Sequence, residues 1–224
     1  MFLLLGKKTY ATIEMDPSPK AWLKEKDDHP HIAGITAKKR DKAEHAQRIG
    51  MNLIHQLLYD NKTLEEFRNW FQSELDIVCK RQPKTIEELA PFTITCALSA
   101  EYKKDKDVLA LCLAEMVTKE SGARPRAGSR LPFVVVREGK SALVCDHCET
   151  PDHFLRSKHN IDFNHYVKQV MNCVKQVLSL PVHKTLLNAF EQIAERWGHR
   201  CKNIASKNSE ITRFFSATKR QKTN

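Results

Sequence analysis

Cationic side chains gather in three short stretches of this sequence. Lysine and arginine bind phosphate groups, and a tyrosine hydroxyl beside them can reach hydrogen-bond acceptors in a nucleic-acid groove. The chain carries a net charge of +10 at pH 7, an excess that typically serves a polyanion or an acidic membrane face. The stretches contain Lys7, Lys8 and Tyr10; Lys38, Lys39 and Arg40; and Arg124, Arg126 and Arg130.

A second group of residues has the spacing of zinc ligands. Cys145, Cys148 and His153 lie within nine residues, but no second Cys-x-x-Cys pair completes a four-ligand set. We therefore expect no metal site in the chain; the alternative is a zinc-stabilised adaptor that uses these three residues. The other five of the seven cysteines lie among apolar neighbours, which predicts small buried or half-buried thiols in a reducing compartment: Cys79, Cys96, Cys112, Cys173 and Cys201.

The elements that position these residues follow from periodicity. Side chains alternate from Lys8 to Met15, which predicts a half-buried strand that ends at "DPSPK". The stretch "HIAGITAKKRD" has room for a short second strand. A helix follows Asp41, and a capping box from Thr63 to Glu66 begins the next helix.

The second half changes character. "FTITCAL" reads as a strand, residues 108–117 read as a buried helix, and Glu138-Gly139 is a plausible hairpin turn. Amphipathic helices are expected over 166–178 and 186–197, and the basic tail after Gly198 is expected to be disordered. The predicted fold class is α+β, mostly helical with small sheets.

Neither a targeting segment nor a membrane span is predicted. The apolar run Phe2–Leu5 is shorter than the roughly 7–15 residues of a signal-peptide core, and no basic region precedes it. No apolar run approaches the roughly 20 residues of a membrane helix. We expect a chain without membrane contact, in the nucleus or the cytosol.

Four stretches, in this order, resemble the C-terminal part of family B DNA polymerases. "LLLGKKTYATI" is similar to the palm strand with Lys-Lys-x-Tyr-Ala, and "HIAGITAKKRD" to the Gly-(Ile/Leu)-x-x-x-Arg-Arg-Asp segment. "ARPRAGSRLPFVVV" is similar to a thumb motif, and "CETPDHFLRSKHNIDFNHYVKQV" to the Glu-Asp-Pro and Ile-Asp-x-x-Tyr-Tyr stretch. The resemblance implies the end of a palm followed by a mostly helical thumb with a small β element. It places the palm in residues 1–58, the thumb in 59–198 and a flexible basic tail in 199–224.

The resemblance also implies roles for the first cationic stretch. Lys7, Lys8 and Tyr10 would contact primer–template DNA near the primer end. Strand geometry places Lys8 and Tyr10 on one face and Lys7 on the other. The plain alternative is a solvated strand with ordinary lysines.

The other two stretches match with departures. Lys38, Lys39 and Arg40 would lie near the DNA backbone, with Arg40 either a phosphate contact or part of an internal ion pair. Asp41 is expected to cap the following helix. Lys39 replaces an arginine of the motif and so lacks the bidentate fork. Three further side chains would be phosphate contacts, or equally a charged solvent loop: Arg124, Arg126 and Arg130.

The tail contains "NSEITRFFSATKRQK", which resembles a sliding-clamp-binding box. One helical turn would place one aliphatic and two aromatic side chains in a single pocket of a clamp of the PCNA type. The alternative is that the two aromatic rings fold back onto the domain. The clamp-binding residues would be Asn208, Ile211, Phe214 and Phe215.

By the same resemblance, the reaction is template-directed DNA synthesis with two Mg²⁺ ions held by carboxylates. The family's Asp-x-Asp carboxylates precede the Lys-Lys-x-Tyr strand and are absent here. This chain alone is therefore expected to be inactive, to bind no metal and to need the catalytic N-terminal portion as a partner. The alternative is a stand-alone, non-catalytic DNA-binding or clamp-associated module.

Overall fold

The computed structural model of the chain describes residues 2–6, 9–12, 31–78, 82–102, 108–137, 144–157 and 159–198. This part of the chain forms two three-stranded antiparallel sheets and several helices. The predicted α+β class is confirmed. No helix within the described ranges is long and apolar enough to cross a membrane.

The first sheet is built from β1 (Phe2–Gly6), β2 (Thr9–Thr12) and β3 (His31–Ala33), with β2 in the middle. Ala11 is fully buried, whereas its neighbour Tyr10 is half-buried. This alternation confirms the predicted strand over its described residues, because successive side chains of a strand point to opposite faces. β3 confirms the short second strand.

Helix α1 (Glu44–Tyr59) follows, and the prediction that Asp41 caps it is wrong. The N-cap residue is Ala43, which makes no side-chain cap hydrogen bond. Asp41 lies two residues too early to accept from the first turn, and its carboxylate lies 3.5 Å from Lys42 Nζ instead. Glu44 places an acidic side chain in the first turn, where the helix dipole favours it.

Helix α2 (Leu64–Val78) begins with the predicted capping box. The Glu66 amide donates to Thr63 Oγ1 at 3.3 Å, and the Thr63 amide donates to the Glu66 carboxylate at 2.7 Å. The two residues thus satisfy each other's free amides.

The second sheet has the order β4-β5-β6 and stands between helices. Its strands are β4 (Ile94–Ala97), β5 (Arg130–Val135) and β6 (Cys148–Glu149). The short helix α3 (Ile86–Leu89) precedes β4, and α4 (Leu109–Ser121) joins β4 to β5. The strand at "FTITCAL" is confirmed, and α4 extends four residues beyond the predicted end. The predicted Glu138-Gly139 turn lies outside the described residues.

Three further helices complete the second half of the chain. They are α5 (Pro151–Arg156), α6 (Phe163–Val177) and α7, which spans residues 184–198. Both predicted amphipathic helices are therefore present. α6 packs lengthwise against α1, and α7 packs against α2 through the stacked rings of Phe190 and Phe71, whose centroids lie 4.2 Å apart.

The contact between α1 and the preceding segment is very close. Gly50 of α1 faces Ala37, and a Cβ built on Gly50 would lie 2.8 Å from the Cβ of Ala37 and 3.4 Å from that of Cys173 in α6. Only glycine fits there, because real Cβ contacts do not fall below about 3 Å. Ala37 thus packs tightly between the two helices, directly before the basic residues at 38–40.

Candidate nucleic-acid interface

The basic turn is defined here as Lys38, Lys39 and Arg40. Its first residue is the last residue of a 3₁₀ helix over Thr36–Lys38. The Lys39 amide closes this helix by donating to the Thr36 carbonyl at 3.0 Å. Lys39 and Arg40 are exposed to solvent. Among the ion pairs of the described residues, none involves Arg40.

Backbone on both sides of the basic turn is held by helix α6. The Thr36 amide donates to Gln176 Oε1 at 2.6 Å, and Gln176 Nε2 donates to the Gly34 carbonyl at 3.2 Å. On the other side, the Ala43 amide donates to Gln169 Oε1 at 3.0 Å. These partners are 126 to 142 residues apart in the sequence.

Arg130 joins the basic turn through Thr95. Arg130 Nε donates to Thr95 Oγ1 at 3.0 Å, and its Nη2 lies 3.4 Å from the Thr95 carbonyl. The Thr95 hydroxyl in turn donates to the Arg40 carbonyl at 3.1 Å. Arg130 stays exposed while making these bonds. The structure therefore brings together two of the predicted cationic stretches, with a threonine of β4 between them.

The arginine loop, residues 122–129, carries Arg124 and Arg126, which are both exposed. Gly122 ends α4 with φ +75°, and Gly128 has φ +86°, a backbone conformation that L side chains rarely adopt. The Gly128 amide donates to the Leu98 carbonyl at 2.7 Å, which fixes the end of the loop to the end of β4. Sheet pairing thus places the loop beside Arg130.

A cleft of about 1360 Å³ opens beside the arginine loop. Its polar wall is the carboxylate of Glu120, which accepts from the Thr150 hydroxyl at 3.1 Å and from Arg156 Nη2 at 2.8 Å. Thr150 also caps α5 by accepting from the His153 amide. These bonds join the end of α4 to the start of α5.

The charges around this cleft are mixed. Arg124, Arg126 and Arg156 line it together with Glu44, Glu120 and Asp152, and the rest of the lining is mostly apolar. Because carboxylates repel phosphates, the interior of the cleft does not suit a polyanion. The exposed arginines on its rim, rather than the interior, are the groups that could contact phosphate.

The first cationic stretch is only partly described. Tyr10 lies on the central strand of the first sheet, opposite Leu4 on one side and Ala33 on the other. Lys7 and Lys8 lie outside the described residues, as do the clamp-binding candidates Asn208, Ile211, Phe214 and Phe215. The roles of these residues remain predictions.

Two histidines lie in the first turns of α1 and α6: His45 is buried and His165 is half-buried. Burial lowers the pKa of His45 to about 4, against a smaller raising effect from the Pro91 carbonyl, which lies 2.8 Å from its Nδ1. Burial also lowers the pKa of His165. His165 Nε2 lies 2.8 Å from Gln169 Nε2, which can only donate, so a neutral ring accepts this hydrogen bond. This bond fixes the orientation of the Gln169 amide.

The cysteines fit the prediction of buried and half-buried thiols. Cys173 is buried, Cys96 and Cys112 are half-buried, and Cys79 and Cys201 lie outside the described residues. Burial raises the pKa of Cys148 to about 12, helped by the nearby Cys112 and Cys96. In the described part of the chain, no group of three or more His, Cys, Asp or Glu side chains could hold a metal ion.

Sequence reasoning missed Thr95, Gln169 and Gln176. The two glutamines carried a signal, since they lie seven residues apart on the otherwise apolar face of an amphipathic helix. Polar side chains in such a stripe are buried and need partners. Thr95 carried none, because threonine is an ordinary strand residue.

Similarity to known proteins supports the order of the motifs. A model of DNA polymerase family B matches residues 1–180. The DNA polymerase delta catalytic subunit of Glycine max is 25% identical over 218 residues, covering 95% of this chain and 19% of that protein. The delta catalytic subunit of Dictyostelium discoideum is 24% identical over 188 residues, covering 80% and 16%. This chain thus spans less than a fifth of the length of these relatives.

One solved structure shows the same fold. The family B DNA polymerase from the archaeon Pyrobaculum calidifontis superposes on 80% of this chain, and 21% of that chain is covered. The TM-score is 0.54 and the sequence identity is 18%.

Proposed function

Because the chain belongs to DNA polymerase family B, we propose that it forms the end of a polymerase palm and the thumb, and that it grips the primer–template duplex. On this proposal residues 1–58 are palm, 59–198 are thumb and 199–224 are a basic tail. The net charge of +10 suits this role, because a duplex presents a dense row of phosphates.

The observation that carries the proposal is the junction of Arg40, Thr95 and Arg130. Thr95 joins the backbone carbonyl of Arg40, 55 residues away, to the guanidinium of Arg130, 35 residues away, through three hydrogen bonds. Both arginine side chains are exposed. A protein that must hold any sequence needs cations at fixed spacing facing the DNA backbone, since phosphate contacts carry no sequence information. Lys39, Arg124 and Arg126 extend the same exposed surface.

The chemistry of synthesis belongs to the whole polymerase. Divalent metal ions in such an enzyme stabilise both the attacking and the leaving oxygen during nucleotidyl transfer. The resemblance implies that the Asp-x-Asp carboxylates precede the Lys-Lys-x-Tyr strand, so we place the Mg²⁺ ligands in the catalytic N-terminal portion. The role of this chain is to bind and orient the duplex, and we expect no synthesis by the chain alone.

Two further contacts belong to the proposal by resemblance. Lys7, Lys8 and Tyr10 would touch the duplex near the primer end, and the box of Asn208, Ile211, Phe214 and Phe215 would tether the enzyme to a sliding clamp. Location follows from the role: the nucleus, or a cytoplasmic replication site.

The test is binding of the 224-residue chain to a fluorescent primer–template at several salt concentrations. The variant Arg40→Ala with Arg130→Ala should weaken binding and lower the salt slope by about 2, because each phosphate contact contributes roughly one unit. Arg137→Ala is the matched control, since Arg137 is an exposed arginine beyond the opposite end of β5. Equal losses in both variants would contradict the proposed surface.

A second assay separates the proposal from the alternative of a stand-alone module. The chain is mixed with an N-terminal family B fragment that contains the catalytic carboxylates. Primer extension only in the mixture supports a polymerase portion. Tight duplex binding without any gain in extension would favour the non-catalytic module.

A further inference from the structure

Helix α6 carries polar side chains on the face that packs against the rest of the molecule. Tyr166 is fully buried and Gln169 is 8% exposed. Gln176 lies one heptad beyond Gln169, on the same face. Each of these side chains hydrogen-bonds to backbone of a segment distant in sequence.

The two glutamines bind backbone on either side of the basic turn. Gln176 accepts from the Thr36 amide and donates to the Gly34 carbonyl, and Gln169 accepts from the Ala43 amide. The six residues between Thr36 and Ala43 include the whole basic turn. Their backbone is therefore fixed at both ends to one rigid helix, as α1 and Gly50 fix it from the side.

The first turn of α6 also fixes β5, the strand that carries Arg130. The Val135 amide donates to the Tyr166 hydroxyl at 2.8 Å, and the Asp162 amide donates to the Val135 carbonyl at 3.0 Å. Val135 ends β5, the strand that begins with Arg130. One helix thus fixes both the basic turn and the strand that carries Arg130.

We propose that Gln169 and Gln176 are positioning residues for duplex binding, which set the place of Lys39 and Arg40 relative to Arg130. This inference rests on the proposed function and names further residues that serve it. Neither glutamine need touch DNA. They act by removing the conformational freedom that the basic turn would otherwise lose on binding.

Glutamine suits these two positions because its side-chain oxygen accepts a hydrogen bond from a backbone amide, at half-buried Thr36 and at buried Ala43. An amide that loses its partner in such a place has to find water, and the turn can reach water only by moving away from α6. Lys39 and Arg40 then keep their charge but lose their fixed spacing to Arg130. Affinity and the number of phosphates contacted should fall together.

The experiment combines these residues with the cations they position. Four forms of the 224-residue chain are compared in primer–template binding across salt: wild type, Gln169→Met with Gln176→Met, Lys39→Ala with Arg40→Ala, and all four substitutions. Methionine keeps the length of glutamine without its hydrogen-bonding groups. Asn172→Met is the matched control, because Asn172 is an exposed residue of the same helix.

We expect the methionine pair to weaken binding roughly threefold to tenfold and to lower the salt slope by about 1 to 2. The quadruple variant should bind about as well as the Lys39→Ala, Arg40→Ala variant, because residues that act through one another are not additive. Additive losses, or an unchanged salt slope, would overturn the inference. So would an equal loss in the Asn172→Met control.

A second variant keeps the test valid if the methionine pair unfolds. Compared with the single variant Gln176→Met, Gln176→Glu retains the acceptor for the Thr36 amide, loses the donor to Gly34 and adds a negative charge. The readout is therefore amide hydrogen exchange over residues 36–43 without DNA, which should return at least halfway from the Gln176→Met rate to the wild-type rate. No restoration would count against positioning by Gln176. If wild type itself fails to bind the duplex, the proposed function fails first, and the two failures are thereby distinguished.

Discussion

The basic turn and the arginine loop both present exposed cations, but they are held in different ways. The turn is fixed by side chains of α6 that lie 126 to 142 residues away in sequence. The loop is fixed by its own two glycines with positive φ and by backbone bonds to the neighbouring strand. The position of the turn therefore depends on tertiary packing, whereas the position of the loop depends on its local backbone conformation.

This difference predicts separate responses to damage. Changes in the core under α1 and α6 should displace the turn and spare the loop, and changes at the loop glycines should do the opposite.

Acid should have the largest effect, through His45 in the first turn of α1. Burial lowers its pKa to about 4, from an ordinary value of 6.5. The unfolded chain therefore binds more protons between these values, and the free energy of unfolding should fall as pH drops from about 6.5 to about 4. The loss for this histidine is about 3 kcal/mol. Urea unfolding at several pH values measures it.

The control for this measurement replaces the histidine with a ring that cannot be protonated. His45→Phe should remove most of the pH dependence assigned to this site, whereas His55→Phe, at an exposed position of the same helix, should leave it in place. Identical pH profiles for wild type and His45→Phe would contradict the assignment.

Removing one hydroxyl should come next. Tyr166→Phe leaves the Val135 amide without its buried partner, which should cost roughly 1–3 kcal/mol of unfolding free energy. Chemical denaturation measures this cost. Tyr102→Phe is a matched control, because the Tyr102 hydroxyl accepts from the Ser99 amide at an exposed site, where water can replace it. Equal costs for both variants would show that the Val135 bond is not special.

Adding a single methyl group at Gly50 should disturb the basic turn and leave the arginine loop unchanged. Gly50→Ala puts a Cβ 2.8 Å from the Cβ of Ala37 and so forces the turn away from α1. We expect a loss of roughly 1–2 kcal/mol, since overpacking outweighs the better helix propensity of alanine. Amide hydrogen exchange should rise over 36–43 and stay unchanged over 122–129.

The loop should give the smallest effect and the opposite pattern. Gly128→Ala meets no atom within 4 Å but must adopt a φ of +86°. The strain costs about 1 kcal/mol, so exchange should rise over 122–129 and not over 36–43. A rise in both regions would mean that the loop and the turn form one cooperative unit.

Short-range sequence patterns were sufficient to predict several of the secondary-structure elements. The strand at Thr9–Thr12, the box at Thr63 and Glu66, and helices α1 and α6 follow from short-range patterns, and the structure confirms them. Asp41 failed because an N-cap is defined by the backbone of the helix start, which began two residues later than the acidic side chain suggested.

The candidate interface was predictable only as separate stretches. That Arg40 and Arg130 meet depends on Thr95, and that the basic turn is fixed depends on Gln169 and Gln176. These are hydrogen bonds between segments far apart in sequence, and no local pattern determines which segments meet. Tertiary packing decides it.

The most direct test of the duplex-binding surface is hydrogen exchange of the full chain with and without primer–template DNA. We predict that DNA slows exchange over residues 36–43 and 94–97 and over the arginine loop, and leaves exchange on the exposed side of α2 unchanged. Slower exchange confined to α2 or α7, with no change at the basic turn, would contradict it.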